Sequence, residues 1–165
     1  MSGEPVRRTP SGRPLRLVDS TGVPVGTVGT DGTVGTDGTL ALVLSPERQS
    51  VAVGRHWVVR AAVDAGVTGM ANQVVELLTS ELLANAVLHG SAGRAIHLWF
   101  CCTDEVARIS VSDSVPEPPV VLHPGLIAPS GRGMAIVEAM SNRWGVDEQS
   151  EVGKTVWFEI DLDEY

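Results

Sequence analysis

At 165 residues the chain suits one domain with a substantial core and is short for two. Hydrophobic residues make up 43% and charged residues 19%, ordinary values for a soluble globular protein, and no apolar run approaches the ~20 residues that span a bilayer. A net charge of −8 is a poor match to nucleic acid, whose phosphates are neutralised by Lys and Arg, so neither nucleic acid nor membrane is an expected partner.

The charge is uneven. Residues 1–38 hold four Arg and four acids, so the remainder, with eight basic and sixteen acidic residues, carries the whole excess. An acidic body of this kind suits a basic protein partner or a metal-bridged nucleotide. The N-terminus lacks the apolar core of a secretory signal. Cys101 and Cys102 are adjacent, which fits neither a disulfide framework nor a C-x-x-C metal site. A cytoplasmic location is expected.

Residues 1–38 contain 8 of the 18 glycines and four prolines, and residues 27–38 read TVGTDG twice. Gly, Thr and Asp at this density bury too little apolar surface to offset backbone ordering entropy. The segment is expected to be a flexible arm with a loose hairpin around Leu15 to Val28, and residues 39–165 to be the folded domain.

The domain opens with Leu40–Leu44, a strand pattern. Ser45-Pro46-Glu47 carries the signals of a helix start, with Ser as N-cap and Pro in the first turn. Val51, Trp57, Val58, Ala61 and Ala62 give that helix an apolar side, and Gly66 ends it. A second helix is expected from about Met70 to His89, stopping at Gly90. Strands follow near Ala95–Cys102 and Val106–Asp113, where apolar residues alternate with polar ones. A Pro-rich loop, Val115 to Pro129, leads to Gly131-Arg132-Gly133. A third helix comes next, with Met134, Ile136, Val137 and Met140 turned inward, and two last strands fall near Arg143–Glu148 and Lys154–Leu162. The expected class is α+β: a two-layer sandwich of a mixed, mostly antiparallel sheet with about three helices on one face.

Three polar features stand out against this frame. On the second helix, Val74, Leu77, Leu78, Glu81, Leu82, Asn85 and Leu88 share one face at roughly 100° per residue, with Glu81 and Asn85 a turn apart near its middle and His89 a further turn along. Burying a carboxylate without a partner is costly, so something polar should meet that face. A magnesium ion bridging to phosphate would do so, with the Asn carbonyl as a hard oxygen ligand and the carboxylate taking a proton. A core helix whose Glu81 pairs with an Arg is the plainer alternative. Asp113 ends a strand, where it can accept a hydrogen bond from an exocyclic amine such as that of adenine, or serve as an ordinary turn aspartate. Ser130-Gly131-Arg132-Gly133 leads into a helix, where backbone N–H groups can approach phosphate or the glycines can serve chain geometry alone. Gly153-Lys154-Thr155 imitates the end of a P-loop, but the pattern requires Gly where Glu148 stands, and a strand follows. No G-x-S-x-G elbow is present.

In order and spacing, Glu81-x-x-x-Asn85, Asp113, Gly131-x-Gly133 and Gly153-Lys154-Thr155 resemble the Bergerat-type ATPases, which group gyrase, the MutL repair protein, a heat-shock chaperone and histidine kinases. Within them the chain is most similar to the small anti-sigma-factor serine kinases and their actinobacterial ATP-binding relatives, through ELLANAVLHG, SGRGMAIVEAMSNRWG and GKTVWFEI. The likeness covers roughly residues 40 to 162. It implies ATP and Mg²⁺ as cofactors, Asn85 as the magnesium ligand and Glu81 as the general base for an attacking hydroxyl. It implies further that Asp113 receives the adenine amino group with support from Thr155, and that Gly131, Arg132 and Gly133 line the phosphates and lid. The implied activity is a protein serine/threonine kinase that switches between a sigma factor and an antagonist protein. Nucleotide binding without transfer is the alternative. Small relatives commonly form homodimers, which makes a homodimer a further expectation. One departure bears on affinity and turnover: the family usually continues its Asp as D-x-G-x-G, whereas Asp113 is followed by Ser-Val-Pro-Glu-Pro-Pro.

Overall fold

The structure, a computed structural model, describes residues 33–34, 38–90, 93–121, 132–149 and 153–165. The elements run β1 (Thr33–Val34), β2 (Leu40–Leu44), α1 (Arg48–Asp64), α2 (Gly69–His89), β3 (Ile96–Cys102), β4 (Val106–Asp113), α3 (Gly133–Met140), β5 (Arg143–Gln149) and β6 (Gly153–Asp161), closed by a 3₁₀ turn at Leu162–Glu164. One six-stranded sheet has the order β1-β2-β3-β4-β6-β5, and all its pairings are antiparallel. The class is the expected α+β. Thr33 and Val34 pair with Ala41 and Leu40, so the sheet begins inside the segment expected to be an arm. The expected hairpin around Leu15 to Val28 lies outside the described residues.

Period-two alternation sorts each strand into two faces. Leu42, Leu98, Val111 and Val156 are register partners in neighbouring strands, and all four are buried in the core that the helices complete. The intervening row on the other face is polar and aromatic. There Glu159 is bound by Arg108 at 3.0 Å and by Arg143 at 2.6 Å, and the Arg108 guanidinium lies 4.0 Å from the centre of the Trp157 ring.

α1 begins at Arg48 with Glu47 in the N-cap position, two residues later than the Ser-Pro signal suggests. Ser45 Oγ instead lies 3.3 Å from Ser50 Oγ. Gly54 lets α1 approach its neighbours closely: a Cβ there would lie 2.6 Å from Leu83 Cδ1 and 2.9 Å from Leu44 Cδ1. The connection to α2 is held by Asn72, whose amide donates to the Val67 carbonyl at 2.9 Å and the Val59 carbonyl at 3.3 Å.

The buried side of α2 is not the arc drawn from sequence. Ala71, Val74, Val75, Leu78, Thr79, Leu82, Leu83 and Ala86 are buried, whereas Leu77 and Leu88 are 38% and 67% exposed. α2 packs on α1 as well as on the sheet, which turns the core-facing side towards Val75 and Leu83. Glu81 and Asn85 therefore lie on its flank, half-buried, rather than at its middle. In α3, Met134 and Val137 are buried as expected and Ile136 packs against the core, but Met140 at the last turn is 39% exposed.

Candidate functional site

β4 ends at Asp113, and β6 begins beside it with Asp113 paired to Lys154 in register. This corner needs a glycine. Gly153 has φ +153°, and a Cβ there would lie 2.1 Å from the Asp113 carbonyl oxygen. With the strands this close, Lys154 Nζ donates to both Asp113 carboxylate oxygens and to the Val115 carbonyl, each at 3.0 Å. Val115 N–H returns to Asp113 Oδ1 at 2.8 Å, an Asx-type turn. The Asp113 and Lys154 side chains are only 6% and 5% exposed.

This corner borders a cavity of about 550 Å³, inside the range of small-molecule sites. Its wall combines the apolar side chains of Leu82, Val111, Met134 and Val156 with Asn85, His89, Asp113 and Lys154. Leu88 and Val120, 67% and 70% exposed, also line it and make its margin apolar.

Of the polar residues singled out from sequence, Asn85, His89 and Asp113 line this one cavity. Glu81, a turn before Asn85, meets the start of α3, where a Cβ on Gly133 would lie 2.4 Å from Glu81 Oε2. Among the described residues the Glu81 carboxylate has no hydrogen-bond or ion-pair partner, so the alternative of a buried Glu–Arg pair is not realised there. Arg132 is exposed in the N-cap position of α3, and Gly131 lies outside the described residues.

Thr155 follows Lys154 on β6. It pairs with Ser112, is fully buried and belongs to the sheet face opposite the cavity. Alternation along β6 instead puts Lys154 beside Asp113. Sequence reasoning set Lys154 aside as part of a P-loop imitation. Its signal was the row Lys154, Val156, Phe158, Ile160, in which one charged residue opens an otherwise apolar face.

The family model described as the histidine kinase-like ATPase domain matches residues 44–160, which covers every element from the end of β2 almost to the end of β6. The chain belongs to that family. The α+β fold belongs with the Bergerat-type ATPases. Among solved structures the chain is similar to the histidine kinase domain from the Erythrobacter litoralis EL346 blue-light activated histidine kinase, at 20% identity and a TM-score of 0.44. That match covers 69% of this chain and 61% of that chain, so this ATPase-family domain spans about three fifths of its length. No curated protein matches the sequence.

The donor set fits a magnesium nucleotide. Among the described residues no three His, Cys, Asp or Glu side chains gather as a metal cluster. Magnesium does not require one, since it keeps several waters and is held by one or two protein groups plus phosphate oxygens. Asn85 has a carbonyl oxygen of the kind such a site uses, and the apolar wall with a carboxylate beside it has the chemistry to receive a purine. Among the described residues no helix is long and apolar enough to cross a membrane.

Proposed function

We propose that this domain binds Mg-ATP and acts as a protein serine/threonine kinase of the anti-sigma-factor type. It would modify a serine or threonine on a small antagonist protein and switch between that antagonist and a sigma factor. The observation that carries the nucleotide reading is the shared cavity of Asn85 and Asp113, one on α2 and the other at the end of β4.

Phosphoryl transfer asks for positioning and charge neutralisation more than for covalent chemistry from the protein. When bound, Mg-ATP would supply the transferable phosphoryl group and the cation that neutralises it. Asn85 would hold the metal through its carbonyl oxygen. Asp113 would accept a hydrogen bond from the exocyclic amine of the base. Glu81, without a partner among the described residues and against the first turn of α3, would take the proton of the attacking hydroxyl. The Arg132–Gly133 N–H groups stand at the α3 N-terminus, where phosphate is favoured. The acidic body suits a basic contact surface on the partner.

Transfer of label from ATP to candidate antagonists tests this reading, with calorimetry measuring binding with and without Mg²⁺. Glu81→Ala should abolish transfer and keep ATP binding, and Asn85→Ala should lose the magnesium-dependent part of the affinity. A fully active Glu81→Ala protein would remove the base assignment. One observation favours a second reading, a nucleotide held as a regulatory ligand with no transfer. The Asp113 corner is braced by Lys154 and followed by prolines rather than glycines. In that case wild type binds ATP and no antagonist is ever labelled.

A further inference from the structure

We infer that Lys154 is a positioning residue that fixes the Asp113 carboxylate as an acceptor for an exocyclic amine, and so decides which nucleotide base the cavity takes. The inference rests on the nucleotide-binding reading above and adds a specificity determinant to it.

The hydrogen-bond inventory of the corner carries the inference. An ammonium has three protons, and Lys154 Nζ has three acceptors at 3.0 Å: Asp113 Oδ1, Asp113 Oδ2 and the Val115 carbonyl. It has none left for a ligand. Asp113 Oδ1 already accepts from both Lys154 and Val115 N–H, whereas Oδ2 accepts only from Lys154 among the described residues. The pair, although it contains a lysine, therefore presents an acceptor and no donor. An adenine amino group meets that acceptor with an N–H. A hypoxanthine carbonyl in the same place would set oxygen against oxygen.

The charge balance points the same way. A carboxylate this deeply buried would be costly alone, and the Lys154 ammonium gives it a partner of opposite charge. Buried ion pairs add little stability over packed apolar residues. This one borders an open cavity rather than sealed core. Lys154 also holds the turn after Asp113 by its bond to the Val115 carbonyl.

The test is calorimetric titration of the full chain with Mg-ATP and with Mg-inosine triphosphate, which carries a carbonyl in place of the amine. Wild type should prefer ATP roughly 10- to 100-fold, the worth of one hydrogen bond to a charged acceptor. Lys154→Met should reduce that preference at least about tenfold, because the carboxylate loses the three-point brace that holds its orientation. A merely structural lysine would weaken both ligands together and leave the ratio alone. A folded Lys154→Met protein with the wild-type ratio overturns the inference. Should Lys154→Met fail to fold, the double variant D113N/K154M leaves no unpaired buried charge. Its amide offers both an acceptor and a donor edge, so it should bind the two triphosphates equally; a retained ATP preference overturns the inference. Wild type that binds neither triphosphate overturns the nucleotide reading itself, and wild type that binds both equally overturns Asp113 as the base reader.

Discussion

Glu81 and Gly133 touch where α2 passes the first residue of α3, and a Cβ on Gly133 would stand 2.4 Å from Glu81 Oε2. The atom in the way is the far end of a flexible, half-exposed side chain, so Gly133→Ala should fold. Ala in place of Gly in a helix is worth up to ~1 kcal/mol, enough to offset the displacement. The melting temperature should therefore hold or rise slightly. The carboxylate, however, must move. If Glu81 is the general base, Gly133→Ala should slow label transfer roughly 10- to 100-fold, short of the ~10⁴-fold upper range for removing such a group, with ATP affinity retained. Transfer at the wild-type rate would separate Glu81 from the chemistry.

Gly54→Ala offers the opposite balance. Here too helix propensity favours Ala by up to ~1 kcal/mol. The added methyl would meet Leu83 Cδ1 at 2.6 Å, Leu44 Cδ1 at 2.9 Å and Leu98 Cδ2 at 3.2 Å, all within the buried core. None of these side chains has solvent to move into, and overpacking costs ~1–3 kcal/mol. A net loss of about 1 kcal/mol is expected in urea denaturation. An unchanged midpoint would mean that α1 can shift away from the sheet.

Much of this architecture was legible in the sequence. Eight of the nine described helices and strands follow from periodicity and from Gly and Pro punctuation, because those signals are local. Asn85 and Asp113 stood out as polar groups where an apolar residue or a plain turn would serve. Three things were not legible. The sequence gives the apolar residues of α2 but not which neighbours cover them, so Glu81 looked central when it is flanking. The register of β4 against β6, whose ends are some forty residues apart, decides that Lys154 and not Thr155 faces Asp113. β1 is two residues of a repeat that has no strand pattern of its own and gains one only by pairing with β2.

The outer face of the sheet provides a control for the cavity. Glu159 is 2% exposed and is gripped by Arg108 and Arg143; its hydrogen bond, against the effect of burial, holds the Arg143 pKa above the ordinary arginine value. Removing one partner of a buried pair costs ~3–5 kcal/mol. Arg108 and Arg143 keep Asp147 and Asp161 as second partners, so Glu159→Ala should lie near the low end, about 3 kcal/mol in urea denaturation. ATP affinity should not change in the folded fraction, because Glu159 faces away from Lys154 and Val156. A lost affinity at full folding would show that the two faces are coupled.

His97, on β3, stacks on Trp99 with ring centroids 5.7 Å apart and planes at 16°, and burial lowers its pKa below the usual histidine value. The unfolded chain therefore takes up a proton before the folded one does. Above about pH 6.5 both states are neutral and the stacked imidazole costs nothing. As pH falls from there towards the depressed folded value, the unfolded state is favoured, so stability drops. His97 is only half-buried, so the slope it adds is modest. His97→Gln keeps a polar side chain at this position without the titration. The fall in melting temperature between about pH 7.5 and about pH 5.5 should be smaller in His97→Gln than in wild type. Equal falls would assign the acid sensitivity to other groups.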